Sequence, residues 1–239
     1  MESILEVKNL SKHFVLHMLQ KKKIKGFENI SFSLKEKEAI GIIGKSGSGK
    51  SSLLKCIYRT YIPTSGSVIF NSKIFGPIDL ASASEDKILV LRNKEISYVS
   101  QFFKVIPRVS AIEIVSSELL KRGKKKEEAY YIASQYLERL DIPKDLWDAY
   151  PATFSGGQQQ RLNIIKAIIV KPRLLLIDEP TASLDRYSKN KVIDLLLELK
   201  DEGTSIVGVF HDTDSMKRLV DKVYKIPEHI CEGAEVLNI

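Results

Sequence analysis

Residues 38–51 read EAIGIIGKSGSGKS, and this stretch decides the fold. Its first half, EAIGIIG (38–44), is a short continuous apolar run ending in glycine, as expected of a parallel strand buried on both faces. Its second half, GKSGSGKS (44–51), has the spacing G-x-x-x-x-G-K-[ST] between that strand and a helix expected over about 50–59. Small residues let backbone N–H groups close around phosphate oxygens, and a helix N-terminus adds partial positive charge. The run Gly44, Lys45, Ser46, Gly47, Ser48, Gly49, Lys50, Ser51 and Ser52 is therefore a candidate phosphate cradle. In it Lys50 offers a full charge to β- and γ-phosphates, and Ser51 offers a hydroxyl to Mg²⁺.

Outward from this loop, a second apolar run supplies carboxylates. LLLIDEP (174–180) ends a strand at Asp178, placed to hold Mg²⁺ directly or through water. Glu179 follows at the strand's C-terminal edge, where open α/β sheets bind ligands. There it can orient and polarise an attacking water. Alone, an Asp-Glu pair after a strand is commonplace and can cap a helix. TSIVGVF (204–210) is a further apolar strand, and KNKVIDLLLELKDEG between the two is an amphipathic helix. Strands alternating with helices indicate a parallel sheet.

The first third differs. ILEVKNL, HFVLHML and ENISFSL alternate apolar and polar residues and suggest antiparallel strands joined by a Lys-rich turn. GSVIFNSKIF (66–75) reads as a strand pair and GPIDLASAS (76–84) as a loop. SAIEIVSSELLKR and KEEAYYIASQYLERL have helical spacing, so about 103–170 reads as a helical insertion. The expectation is one α/β domain over 1–239. It has an antiparallel β and nucleotide-binding core at 1–102 and 171–239, and a helical subdomain at about 103–170.

Composition is that of a globular chain able to bury a core: 239 residues, 44% hydrophobic and 28% charged. Thirty-seven basic against 30 acidic residues give a net charge of +7, which suits an anionic ligand. The basic clusters at 21–25 and 121–126 lack interleaved aromatics and read as solvated loop faces, so no nucleic-acid partner is expected. Cys56 and Cys231 read as idle thiols of a cytoplasmic chain. With no apolar run long enough to span a bilayer, membrane association is expected only through a partner.

FSGGQQQ (154–160), ahead of RLNIIKAIIV, is unexplained by one complete phosphate site. Ser155 offers a hydroxyl, and Gly156, Gly157 and Gln158 open a second helix whose N–H groups can bind an anion. Two anion-binding helix starts serve one ATP if they face each other. If they lie far apart, two subunits paired head to tail close two equivalent sites.

Together GKSGSGKS, Gln101, FSGGQQQR, RLLLIDEP, SLD and FHD resemble ATP-binding-cassette (ABC) ATPases over essentially the whole chain. The resemblance implies ATP and Mg²⁺ as ligands and a second ABC subunit, identical or sister, as partner. It implies that Phe14 stacks on adenine and that Gln101 reaches Mg²⁺ and water. It also implies that Ser183 and Asp185 signal across the dimer and that His211 touches the γ-phosphate. Segments 99–115, 145–165, 178–185 and 206–212 further resemble the ABC subunit called L in bacterial carbon–phosphorus lyase systems. That subgroup implies association with the lyase core complex in phosphonate catabolism, at the step forming ribose 1-methylphosphonate 5-triphosphate. The alternative expectation is the motor of a lipoprotein-release or macrolide-type transporter, with a permease docked near Phe102 to Arg108. A third is a non-hydrolysing switch, which the presence of both Glu179 and His211 argues against.

Overall fold

The computed structural model describes residues 3–16, 22–210, 212–226 and 236–238. In chain order the elements are β1 (Ser3–Leu16), β2 (Lys22–Lys35), β3 (Ala39–Ile43), α1 (Lys50–Ile57), β4 (Ser65–Ser72), β5 (Gly76–Asp79), α2 (Glu85–Lys94) and β6 (Ile96–Val99). The helical part follows with α3 (Ala111–Leu120), α4 (Lys126–Arg139) and α5 (Gly156–Ile168). The chain then returns through β7 (Leu174–Asp178), α6 (Arg186–Asp201), β8 (Ser205–Val209), α7 (Thr213–Leu219), β9 (Lys222–Lys225) and β10 (Val236–Asn238).

Among the described residues these strands form two sheets. One is antiparallel, in the order β2-β1-β4-β5; the other runs β10-β9-β3-β8-β7-β6 and is parallel except for β10 at its edge. All five residues of β7 and of β8 are buried, because both faces of the parallel sheet are covered. Alternate residues divide between two cores. Leu175, Ile177 and Ile206 pack with α5, α6 and α7, whereas Leu174, Leu176, Val207 and Val209 pack with α1 and the antiparallel sheet. The helices α1 and α5 therefore lie on opposite faces of one sheet.

The fold class agrees with expectation, and several elements differ in detail. ILEVKNL and residues 13–16 (HFVL) form one strand, β1, whose pairing with β2 shifts register around Val7–His13, while residues 17–19 lie outside the described residues. Bulges of this kind absorb the break in alternation. Lys22, Lys23 and Lys25 belong to β2 rather than to a turn. Residues 76–79, read as loop, form β5 by pairing with β4. The two sheets are tied at Glu95, which is buried and accepts from the Ser72 hydroxyl, from Lys73 N–H at 2.8 Å and from Arg173 Nη1 at 3.2 Å. Arg173, itself half-buried, also donates to Asn71 O at 2.7 Å and to Glu36 at 2.6 Å, so both charges of the pair have several partners. Burial pushes the Cys56 thiol up to about 11, consistent with an idle thiol; Cys231 lies outside the described residues. Among the described residues no helix is long and apolar enough to cross a membrane.

Candidate functional site

Strand β3 delivers Gly44 to the C-terminal edge of the parallel sheet, and the loop turns into α1 at Gly49 (φ 89°). No side chain caps α1 among the described residues, so its first N–H groups remain available to the loop's concavity. Lys50 is buried and donates from Nζ to the carbonyls of Gly44 and Lys45, both at 2.8 Å. Those bonds fold the ammonium over the loop. Ser48 Oγ is buried and finds no partner among the described residues. An uncapped helix start, an ammonium and an orphaned hydroxyl around one loop match the donor set that a polyphosphate requires.

The carboxylates approach from β7. Asp178 is 2% exposed, and Ser51 Oγ donates to its Oδ1 at 2.9 Å while Tyr98 OH donates to its Oδ2 at 3.1 Å. Burial pushes the Asp178 carboxyl above its ordinary value, and the two hydroxyls hold part of that rise back. Ser51 and Asp178 together are oxygen donors of the kind Mg²⁺ takes alongside substrate phosphates. Among the described residues there is no His/Cys/Asp/Glu cluster that would hold a metal without them. Glu179 has φ 54°, a left-handed backbone that costs about 1–3 kcal/mol. Its N–H bond to Val209 O at 3.0 Å helps hold that geometry. Gln101 Nε2 donates to Glu179 Oε2 at 2.8 Å, joining two residues 78 positions apart. Asn163 Nδ2 of α5 donates to Ser100 O at 2.8 Å and so steadies the Gln101 segment from the helical side.

The second helix start is also formed. Ser155 caps α5, and the box is reciprocal: its hydroxyl accepts from Gln158 N at 3.3 Å, and Gln158 Oε1 accepts from Ser155 N at 2.8 Å. Ser155 and Gly156 are exposed, and a Cβ at Gly157 would lie 3.2 Å from Ser183 O, so the 183–185 loop abuts this helix start. Asp185 also has a local structural use. Its carboxylate caps α6, accepting from Ser188 N at 3.0 Å and Ser188 Oγ at 2.7 Å, and these bonds lower its pKa. Phe14 is half-buried on β1, edge-on to Tyr61 at 5.4 Å, with Lys12 Nζ 5.1 Å from its ring. His211 lies outside the described residues. The next residue, Asp212, caps α7 and pairs with Lys189 of α6 at 3.2 Å.

The family described as "ABC transporter" matches residues 27–182, which span the phosphate loop, the second helix start and both carboxylates. The chain belongs to the ABC transporter family of ATPases. It is 39% identical over 197 residues to the lipoprotein-releasing system ATP-binding protein LolD of Aquifex aeolicus, covering 81% of this chain and 85% of that protein. It is 34% identical over 225 residues to the glutamine transport ATP-binding protein GlnQ of Escherichia coli, covering 92% and 86%. A dimeric ATP-binding cassette solved in a post-hydrolysis state with ADP and Pi superposes with a TM-score of 0.86 at 28% identity, covering 97% of each chain. These relatives carry transport and lipoprotein-release names. Nothing in them singles out the carbon–phosphorus lyase subgroup.

Cassette motifs drew attention to most of this site, yet two contributors escaped. Tyr98 sits in the four-residue strand ISYV just before Gln101, and only proximity to Gln101 could have flagged it. Gly26, whose carbonyl packs against Gly49, carries no motif at all. The position of Lys50 yields a direct expectation. Lys50→Ala removes the buried ammonium and should weaken ATP binding by on the order of 10–100-fold, the worth of one charge-assisted hydrogen-bonding group. Titration with a fluorescent ATP analogue checks it, and near-native affinity would remove Lys50 from the phosphate site.

Proposed function

We propose that this ATPase is the motor of a membrane transporter of the lipoprotein-release type, working as a closed pair of cassettes beneath a membrane partner. The observation that carries the reading is a cavity of about 790 Å³ that runs from Asp178 and Gln101 to Phe102, Phe103, Lys104 and Leu89. Phe102 is 76% exposed and Leu89 53% exposed, so apolar surface flanks a cleft that reaches the candidate metal-site carboxylate of Asp178. A partner segment seated there touches Gln101 directly, and Gln101 holds Glu179. The 39% identity to a lipoprotein-releasing ATP-binding protein favours this reading over the phosphonate one.

In this reading the loop of 44–52 grips the phosphates and Ser51 and Asp178 hold Mg²⁺, which supplies charge neutralisation when bound. Gln101 orients the attacking water, and Glu179 accepts its proton as the oxygen bonds to the γ-phosphorus and the bond from that phosphorus to the β–γ bridging oxygen breaks, so that ADP leaves with the bonding pair. Phe14 stacks on the base, and His211 contacts the γ-phosphate. The helix 103–170 region serves as the partner-facing subdomain of a single cassette.

Two observations support pairing: the uncapped start of α1 and the exposed start of α5 stand on helices of opposite sheet faces, and the similar solved cassette is dimeric. A second cassette, identical or sister, supplies Ser155, Gly156, Gly157 and Gln158 across the interface, and the 183–185 loop beside Gly157 lies at the same seam. Ser155→Arg should leave ATP binding to the monomer within about twofold and abolish ATP-driven pairing, because the bulky cation enters a closely apposed surface. Size exclusion with trapped nucleotide reads this, and unchanged dimerisation defeats the cross-subunit site. Co-purification separates the two partner classes: binding to lipoprotein-release membrane subunits supports the proposal, whereas exclusive binding to lyase-core subunits overturns it.

A further inference from the structure

We propose that Tyr98 is a positioning residue for the metal-site carboxylate of Asp178. The proposal rests on the assignment of Asp178 to Mg²⁺ above. Asp178 is buried and has two hydroxyl donors, Ser51 on Oδ1 and Tyr98 on Oδ2. They are not equivalent. Ser51 is itself placed to ligate the ion, so its hydroxyl has to reorient when the ion arrives. Tyr98 stands outside the phosphate loop and keeps its hold on Oδ2 whether or not the ion is bound.

The tyrosine is in turn fixed from behind. Its ring stacks on Tyr58 with centroids 5.2 Å apart at 25°. Arg92 lies 4.4 Å from the Tyr58 ring centroid and donates to Tyr58 O from Nε at 3.1 Å and Nη2 at 2.8 Å. Tyr98 is half-buried and lines the same cavity as Asp178, so solvent could satisfy its hydroxyl. Asp178 lines that cavity too but is only 2% exposed, so its carboxylate depends more on this donor than the hydroxyl depends on the carboxylate. The bond therefore serves Asp178, holding one oxygen in place so that the other is presented at the mouth of the loop.

Tyr98→Phe removes one oxygen and keeps the stacked ring. Binding of a fluorescent non-hydrolysable ATP analogue is measured as a function of Mg²⁺ and again in EDTA. The expected result is a Mg²⁺ midpoint raised roughly tenfold, with Mg²⁺-free binding within about twofold of the native protein. A midpoint unchanged within twofold, or equal weakening with and without Mg²⁺, overturns the proposal. As a second measurement on the full chain, 3-fluorotyrosine at position 98 should show a ¹⁹F shift on addition of Mg²⁺ to the analogue-bound protein. An unmoved signal counts against it. If the native protein binds the analogue equally with and without Mg²⁺, the metal assignment of Asp178 itself is wrong, which the native titration alone reveals.

Discussion

Glu179→Gln is expected to lower ATP turnover by at least ~100-fold while leaving nucleotide affinity nearly unchanged, because a positioned general base contributes roughly 10²–10⁴. The two halves of this expectation come from different parts of the structure. Glu179 stands one residue beyond the strand, on a left-handed backbone fixed by Val209 O. The proposed phosphate grip belongs instead to the α1 start and to Lys50, whose Nζ bonds are to loop carbonyls. A glutamine at 179 retains a carbonyl oxygen able to accept from Gln101 Nε2, so the 2.8 Å link between the cavity and the site is preserved in kind. The loss is confined to the negative charge and proton-accepting capacity. Bound ATP should then persist, and paired cassettes should accumulate on size exclusion. Single-turnover hydrolysis supplies the rate. Native turnover in this variant would place the base elsewhere and leave the strained backbone at 179 without a catalytic explanation.

The sequence exposes those parts of the fold whose side-chain pattern is dictated by burial on two faces or by contact with phosphate. EAIGIIG and LLLID are continuous apolar runs because β3 and β7 are covered on both sides, and the loop between β3 and α1 has its own spacing. Elements held by only a few contacts are silent. The helix α2 buries just Ile88 and Leu91 within EDKILVLRNK, too sparse for a helical stripe, and β5 is a strand only because β4 pairs with it. ISYV is short, and its role depends on a partner 80 residues away, since Tyr98 meets Asp178 only once the sheet brings β6 beside β7. Asp185 has a local use that its motif does not mark. A motif marks it for signalling, while its carboxylate is taken up locally by Ser188, a use that any Asp one residue before a helix can have.

Gly49→Ala should be far more damaging than Gly47→Ala, although both residues have positive φ, 89° and 78°. For Gly47 no atom lies within 4 Å of an added Cβ, so the cost is the left-handed conformation alone, about 1–2 kcal/mol. For Gly49 the new carbon would lie 2.2 Å from Gly26 O and 2.9 Å from Gly26 C. Those atoms are backbone of β2, so no rotamer change relieves the clash; either the strand or the loop has to move. Phe27 Cβ at 3.2 Å closes the remaining direction. A displaced loop carries the start of α1 with it, and that start is the proposed anion site. The alanine at 49 should therefore cost roughly 2–4 kcal/mol of stability, as expected for conformational strain plus overpacking. It should also abolish measurable ATP binding. Urea denaturation without nucleotide separates the two variants by their steric term. Equal midpoints would show that the Gly26 carbonyl yields freely, and the close seating of the phosphate loop on β2 would not be what fixes its shape.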